Sequence, residues 1–317
     1  MKEYEWWWPV ARLEDLGTEP MALQLLGQSL VLWRGESGRA SLLTDRCPHR
    51  GARLSMGRVR QDSLQCPYHG WRFDTMGRCV AIAAQPGFEP PASSAACSHR
   101  LVQSHGMWWA ALGQPAHEPP RLSQTPERRL IYGPFDVATS APRAVENFLD
   151  TAHFAFVHDG WLGDVNRPEV PPYEVSLTPD GRPLIERYRA WQPRASASAQ
   201  SGGWVEYRYE VLSPFSALLS KRDQSGGAQD SYVIWACPQT PESSRLWFAQ
   251  YTSDSSTPDD DLRAFQEAIF AQDRPVLESQ QPKTLPLDGS EAMSSADRLS
   301  AAYRRYLRDC SIGFGVS

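Results

Sequence analysis

The stretch CPHRGARLSMGRVRQDSLQCPYHGW, residues 47–71, decides how the N-terminal part of this chain folds. It places Cys47-Pro-His49 and, after sixteen intervening residues, Cys66-Pro-Tyr-His69. Each short pair mixes one thiolate with one imidazole. A zinc site of the finger type pairs like with like within each short segment, so the alternation disfavours structural zinc. A [2Fe-2S] cluster with mixed ligands does need it: two thiolates hold one iron and two imidazoles the other, which raises the reduction potential above that of an all-cysteine cluster. Pro48 and Pro67 follow the two cysteines and stiffen the loops by fixing φ and removing a backbone donor. Gly51 and Gly70 stand where the backbone must bend closely past a cofactor.

Around this stretch the chain divides near residue 115. Before it, the apolar runs ALQLLG, SLVLWRG, LVQSHG and MWWAALG are punctuated by Gly, Ser and Pro, which predicts a small all-β unit over 1–115. The segment 113–129, GQPAHEPPRLSQTPERR, reads as a polar, Pro-rich linker. The second domain, 116–317, shows alternating stretches WVEYRYEVLS, SYVIWACP and SRLWFAQYTS, expected to be antiparallel strands with one face on a core. Two helices are predicted there. DDDLRAFQEAIFAQD, 259–273, opens with three acidic residues, as a helix N-terminus favours. SSADRLSAAYRRYLRD, 294–309, opens on a capping-box-like Ser-x-x-Asp and carries Leu299, Tyr303, Tyr306 and Leu307 on one face. Loops are expected near residues 200 and 227. A length of 317 residues with 41% apolar content supports two cores. A net charge of -5 with scattered basic residues gives no nucleic-acid footprint. With no signal-peptide layout and no apolar run near the roughly 18 residues of a membrane span, the chain reads as cytoplasmic. In that reducing compartment, clustered Cys point to metal rather than disulfides.

C-P-H-R-G-x-x-L-S-x-G, then C-P-Y-H-G-W with F-x-x-x-G-x-C after it, resembles the Rieske domain of Rieske non-haem iron oxygenases. The chain is most similar to the group containing vanillate O-demethylase, the caffeine N-demethylases and the saxitoxin-pathway hydroxylases. In that group a Pro is expected where this chain has Ala83, so the turn beneath the cluster is expected to be less rigid here. The resemblance implies an α+β protein: an N-terminal all-β Rieske [2Fe-2S] domain and a C-terminal helix-grip (START-like) catalytic domain built on a curved antiparallel sheet. Cys47, His49, Cys66 and His69 are then the cluster ligands.

The segment AVENFLDTAHFAFVHDG, 144–160, supplies His153 and His158 beside Asp150 and Asn147. Two His and one carboxylate on one face of an iron, with other positions open, is the arrangement of non-haem Fe(II) oxygenases. Five residues on an ideal α-helix rotate by roughly 140°, so both imidazoles reach one metal only where the helix is distorted or ending. E-N-x-x-D-x-x-H-F-x-F-x-H is similar to the mononuclear-iron motif of the same family. For the third ligand, Leu262, Phe265 and Ile269 mark the buried face of the helix at 259–273, and Asp273 falls on that face. A carboxylate turned toward a core needs a partner. FAQDRPVLESQQPKTLPL also resembles the family's carboxylate-bearing segment. Asp273 is the choice, with Glu278 in reserve and a local helix-end cap as the alternative role for Asp273.

By resemblance, Asp150 and Asn147 belong to the catalytic machinery. Asp150 would link His69 of one subunit to His153 of its neighbour, which implies a homotrimer. Phe154, Val157, Trp161 and Leu162 are named as pocket residues because they flank the iron ligands. No G-x-G-x-x-G follows a strand, and no plant-type set of four Cys occurs, so electrons are expected from a separate NAD(P)H-dependent reductase carrying flavin and iron–sulfur. The expected activity is a monooxygenase acting with O₂ on a small, flat aromatic or heterocyclic substrate, by oxidative N- or O-demethylation. Stable C–H hydroxylation, or a non-catalytic Rieske electron-transfer protein with a ligand-binding domain, are the alternatives.

Overall fold

The computed structural model describes residues 1–122, 125–194, 201–223 and 229–317. The loops expected near 200 and 227 fall largely outside the described residues. The chain separates into two compact units, Glu3–Pro119 and Pro120–Ser317.

The first unit is built from strands β1 (Trp8–Arg12), β2 (Met21–Leu25), β3 (Gln28–Arg34), β4 (Ala40–Thr44), β5 (Arg58–Arg60), β6 (Ser63–Gln65), β7 (Arg72–Asp74), β8 (Cys79–Ala81), β9 (Ser98–Ser104) and β10 (Met107–Ala111). Six of them form one sheet in the order β1-β10-β9-β4-β3-β2, and β5-β6-β7-β8 form a second. Two-residue hairpins join β2 to β3 at Leu26-Gly27 and β9 to β10 at His105-Gly106, all four residues with positive φ. That backbone matches strand twist, and glycine at the second turn position carries it without strain. The small sheet is inserted between β4 and β9. It brings Leu54, Leu64 and Phe73 into one core with Val31, Trp33 and Leu43.

The second unit contains a curved antiparallel sheet of β11 (Arg128–Val137), β12 (Ser176–Leu177), β13 (Pro183–Gln192), β14 (Gly203–Ser213), β15 (Ser216–Asp223), β16 (Gln229–Thr240) and β17 (Ser243–Thr252), in the order β11-β17-β16-β15-β14-β13-β12. Its helices are α1 (Ala141–Leu149), α2 (Phe154–Val157), α3 (Asp259–Ser279) and α4 (Arg298–Asp309). Helix α1 starts at an N-cap, Ser140, whose Oγ accepts the Arg143 N–H at 3.4 Å, and it packs on β15, β16 and β17. Buried Arg304 on α4 clamps α1 through Glu146, at 2.6 and 2.8 Å, and donates to the Pro286 carbonyl at 3.0 Å. Helix α1 is thereby fixed where it hands the chain to the candidate site.

Two helix boundaries differ from expectation. Helix α3 continues through Pro275 to Ser279 rather than ending at 273. Pro275 and Ala271 both lie on the exposed side, so the carbonyl that loses its donor there is left to water. The capping box at Ser294 and Asp297 is present, but it caps a 3₁₀ turn, Ser295–Asp297, that precedes α4. Leu299, Tyr303, Tyr306 and Leu307 are all buried.

Candidate active site

The two cluster loops share one backbone design. Cys47 N–H donates to the Ala52 carbonyl at 2.8 Å and Gly51 N–H to the Cys47 carbonyl at 2.9 Å. Cys66 N–H likewise donates to the Trp71 carbonyl at 2.8 Å and Gly70 N–H to the Cys66 carbonyl at 3.2 Å. Gly51 and Gly70 close these turns at φ 73° and 69°. A side chain on Gly70 would begin 3.2 Å from Ala83 Cβ, which places Ala83 directly beneath the loop. Cys47 and Cys66 are each 2% exposed and rooted in the apolar core, whereas His49 and His69 are exposed. The two imidazoles lie 4.6 Å apart, and His49 stacks on Trp71 at 4.5 Å. Asp45 braces the first loop by accepting Ser55 N–H at 2.7 Å and Ser55 Oγ–H at 2.6 Å. Burial pushes the Cys47 thiol up to about 11, so a cation is needed to hold it as thiolate at neutral pH.

A second group of potential ligands stands in the other unit. Among the described residues, one set of three ligand-bearing side chains has its donor atoms within 4.8 Å of one another: His153, His158 and Asp273. The five-residue spacing of the histidines works because α1 has ended at Leu149 and a new single turn, α2, begins. His153 is the N-cap of that turn and His158 its C-cap. Their Nε2 atoms lie 3.2 Å apart. Asp273 Oδ1, from the buried face of α3, is 3.5 Å from His153 Nε2 and 3.3 Å from His158 Nε2. Because α3 runs on past it, Asp273 is mid-helix, and the alternative of a helix-end cap is removed.

The protons of this group decide what it can hold. His153 Nδ1 faces Asp150 Oδ2 at 3.2 Å, and His158 Nδ1 faces Gln272 Oε1 at 2.7 Å. Both partners are acceptors, so each Nδ1 carries the ring proton and each Nε2 presents a lone pair. Two imidazole Nε2 atoms and a carboxylate oxygen therefore converge on one point, where a bound cation would satisfy all three. Bonds of roughly 2.0–2.2 Å from one ion would hold such atoms about 3 Å apart. The residues fit a mononuclear metal with open positions.

Neighbouring groups steady the set. Asn147 Nδ2 donates to Asp273 Oδ1 at 3.4 Å. Asp150 Oδ1 accepts the Ala152 N–H at 2.8 Å. Burial works to raise Asp150's pKa, but the hydrogen bond and charge of His153, with backbone N–H groups, outweigh it and hold the carboxyl below its ordinary value. Burial likewise works to lower His153, and is outweighed by its hydrogen bond to Asp150 and the charge of Asp273. Glu278 is elsewhere, accepting the Ala138 N–H at 3.2 Å and paired with Arg274 at 3.1 Å.

A cavity adjoins the three residues, with Phe148, Ile234, Leu246, Phe248 and Phe270 among its walls. Phe154, Leu162 and Asn147 line it too, but Val157 and Trp161 do not. That part of the pocket expectation is corrected. Phe154 and His158, four apart, share the inward face of α2, while Trp161 turns away between Phe265, at 5.3 Å, and the Arg194 guanidinium, at 5.1 Å. Sequence reasoning also missed Gln272 and the strand residues of the wall. The adjacency of Gln272 to Asp273 was a usable signal; for the wall, the period-2 alternation of β15 and β16 was.

Comparison with known proteins agrees with this geometry. The Rieske [2Fe-2S] domain family matches residues 6–92, and the vanillate O-demethylase oxygenase C-terminal domain family matches residues 137–310. Methylxanthine N1-demethylase NdmA of Pseudomonas putida is 33% identical over 97% of this chain and 90% of that protein. Methylxanthine N3-demethylase NdmB of Pseudomonas putida is 31% identical, over 96% of this chain and 89% of that one. The structure of Pseudomonas putida CBB5 NdmA with caffeine superposes with a TM-score of 0.88 at 29% identity, covering 97% of this chain and 90% of the other. Dicamba monooxygenase bound to dicamba, at 24% identity and a TM-score of 0.78 over 98% of this chain and 97% of that one, shares the fold. Over 115 residues, 36% of this chain and 20% of that protein, the oxidoreductase NdmD of Pseudomonas putida is 37% identical. The chain belongs to the Rieske non-haem iron oxygenases, as an oxygenase component carrying a [2Fe-2S] cluster and a mononuclear iron.

Proposed function

We propose that this oxygenase inserts one atom of O₂ into a methyl group on a small, flat aromatic or heterocyclic nitrogen or oxygen, and so removes that group. The observation that carries the reading is the convergence of His153, His158 and Asp273 on the edge of an apolar cavity walled by aromatic rings. The N-demethylase names of the relatives support it. Cys47, His49, Cys66 and His69 hold the cluster in this proposal, and the three converging residues hold the iron. When bound, the two centres supply electrons and activate O₂ beside the substrate. The protein's own residues do the rest. Asn147 and Gln272 orient two iron ligands through their hydrogen bonds. The phenylalanine walls hold the substrate ring and exclude water. Two electrons and two protons complete the balance: the methyl group becomes a hydroxymethyl, the second oxygen atom leaves as water, and the hydroxymethyl departs as formaldehyde.

Electrons arrive in this reading from a separate NAD(P)H-dependent reductase. The domains 1–115 and 116–317 divide electron supply from chemistry, in a cytoplasmic homotrimer. Asp150 spans the subunits, with one oxygen on His153 and the carboxylate reaching His69 of the partner subunit. The exposure of His69 and the partial exposure of Asp150 suit that contact.

Iron and acid-labile sulfide on anaerobically purified protein test the reading. About three irons and two sulfides per chain are expected, falling to about two irons with unchanged sulfide in His158→Ala, which releases no formaldehyde from methylated ring substrates. Two irons in both proteins after Fe(II) loading would leave an electron-transfer protein with a ligand-binding domain.

A further inference from the structure

Away from the converging ligands, the cavity carries one basic side chain among its described lining residues: Lys221 on β15, 7% exposed, whose pKa burial lowers against the opposing charge of Asp230. Strand parity explains its place. Leu219 and Lys221 share one face of β15, and Leu219 also lines the cavity, while Ser220 and Arg222 alternate to the other side. Its cross-strand neighbours are Tyr207 on β14 and Asp230 on β16. The Tyr207 ring lies 6.2 Å from that of Phe154, which lies 6.0 Å from His158. Lys221 and the converging ligands therefore line the same cavity, with Tyr207 and Phe154 also in its wall.

The polar groups beside Lys221 are already committed to one another. Tyr132 Oη–H donates to Gln250 Oε1, Gln250 Nε2–H to Tyr232 Oη at 3.1 Å, and Tyr232 Oη–H to Asp230 Oδ2 at 3.2 Å. All four residues are buried. The chain fixes Asp230 as a counter-charge across the strand from Lys221. Asp230 Oδ1 remains without a hydrogen-bond partner among the described residues. Asp230 is not among the cavity's lining residues, whereas Lys221 is, with its Nζ 4.9 Å from the centre of the Tyr232 ring. Charge-assisted hydrogen bonds in such a water-poor setting are the strong ones.

We propose that Lys221 is a specificity-determining residue that binds an acceptor oxygen, carbonyl or carboxylate, on the edge of the substrate ring remote from the methyl group removed. The inference rests on the cavity being the substrate site. It narrows the substrate class to methylated aromatics or heteroaromatics with an oxygen acceptor on the far edge, and it disfavours purely hydrocarbon rings.

Three matched probes test it on the iron-loaded full-length protein: 4-methoxybenzoate, 4-methoxybenzamide and 4-methoxytoluene, with binding followed by calorimetry. The benzoate and the benzamide, which carry an acceptor oxygen opposite the methoxy group, are expected to bind about 10- to 100-fold more tightly than 4-methoxytoluene, the range of one charged hydrogen bond. An advantage of the benzoate over the benzamide assigns the natural acceptor to a carboxylate, and parity assigns it to a carbonyl. Lys221→Met, which fills the same space without the charge, is expected to bring the three within about twofold of one another, with the cluster spectrum retained as the check on folding. Equal binding of the three to the unaltered protein, binding of none of them, or a preference that survives in Lys221→Met would overturn the assignment. Iron measured on the same samples separates this failure from that of the catalytic reading. Two irons per chain with the preference intact would remove the catalysis and keep the subsite. A full iron complement and formaldehyde release without the preference would do the reverse.

Discussion

In the cluster loops the thiolates are buried and the imidazoles face outward; around the converging ligands of the other unit the imidazole of His158 is as deeply buried as the cysteines, at 2%. The contrast follows from what each centre must exchange. A cluster passes electrons, so burying the sulfurs in the apolar core protects them, while the exposed edge of His49 and His69 offers a partner a short path. An iron that meets O₂ and substrate must do so out of contact with bulk water, and His153, His158 and Asp273 line a walled cavity. The local backbone differs correspondingly. Each cluster loop is closed within six residues by its own hydrogen bonds and a left-handed glycine, whereas His158 depends on Gln272, 114 residues away.

The sharpest break of the comparison is Cys66→Ser. The loop's own hydrogen bonds should keep the sheet in place, but the loss of one thiolate is expected to remove acid-labile sulfide and visible absorbance almost completely, and turnover with them. The iron of the other unit should remain at about one per chain, since its ligands lie in a separately packed unit. Retention of full sulfide would show that Cys66 is not a ligand. In the proposed reading Asp150 joins the two centres, so Asp150→Asn tests the link rather than either end. Both metal contents are expected to stay intact while coupled turnover falls about 10- to 100-fold, the range for second-layer partners of metal-bound histidines. Re-oxidation of the reduced cluster under O₂ and substrate, followed by stopped flow, is the readout. An unaltered rate would show that electrons do not pass this way.

How much was legible in the sequence follows the same division. The two loops that hold Cys47, His49, Cys66 and His69 could be read directly because each turn and its glycine lie in one continuous stretch. The convergence of the histidine pair could be read only with the condition that the helix be interrupted, and the chain meets it by ending α1 at Leu149 and capping α2 with His153 and His158. Asp273 was reachable through the apolar periodicity of its helix, although that helix runs on to Ser279 rather than ending at 273. The cavity was not reachable by adjacency. Trp161 neighbours His158 in sequence and points elsewhere, while Lys221, Tyr232 and Phe248 arrive from strands whose pairing sets their proximity. Register, which fixes which strand residues face one another, is a tertiary property.

The smallest expected effect isolates that long-range dependence. Gln272 accepts from His158 Nδ1 at 2.7 Å, and this bond selects the tautomer that leaves Nε2 free for iron. Gln272→Leu keeps the size of the side chain and the helix propensity of α3, but removes the acceptor. Fe(II) retention during dialysis against a chelator is expected to fall by about tenfold, with the cluster spectrum unchanged. Gln272→Glu, which preserves an acceptor at the same reach, should retain iron at least as well as the unaltered protein. If Gln272→Leu held iron equally well, the capped turn of α2 would be sufficient to aim His158, and both centres would be locally organised. A loss restored by Gln272→Glu would show instead that α3 contributes more than Asp273: it also sets the proton position that makes His158 a ligand.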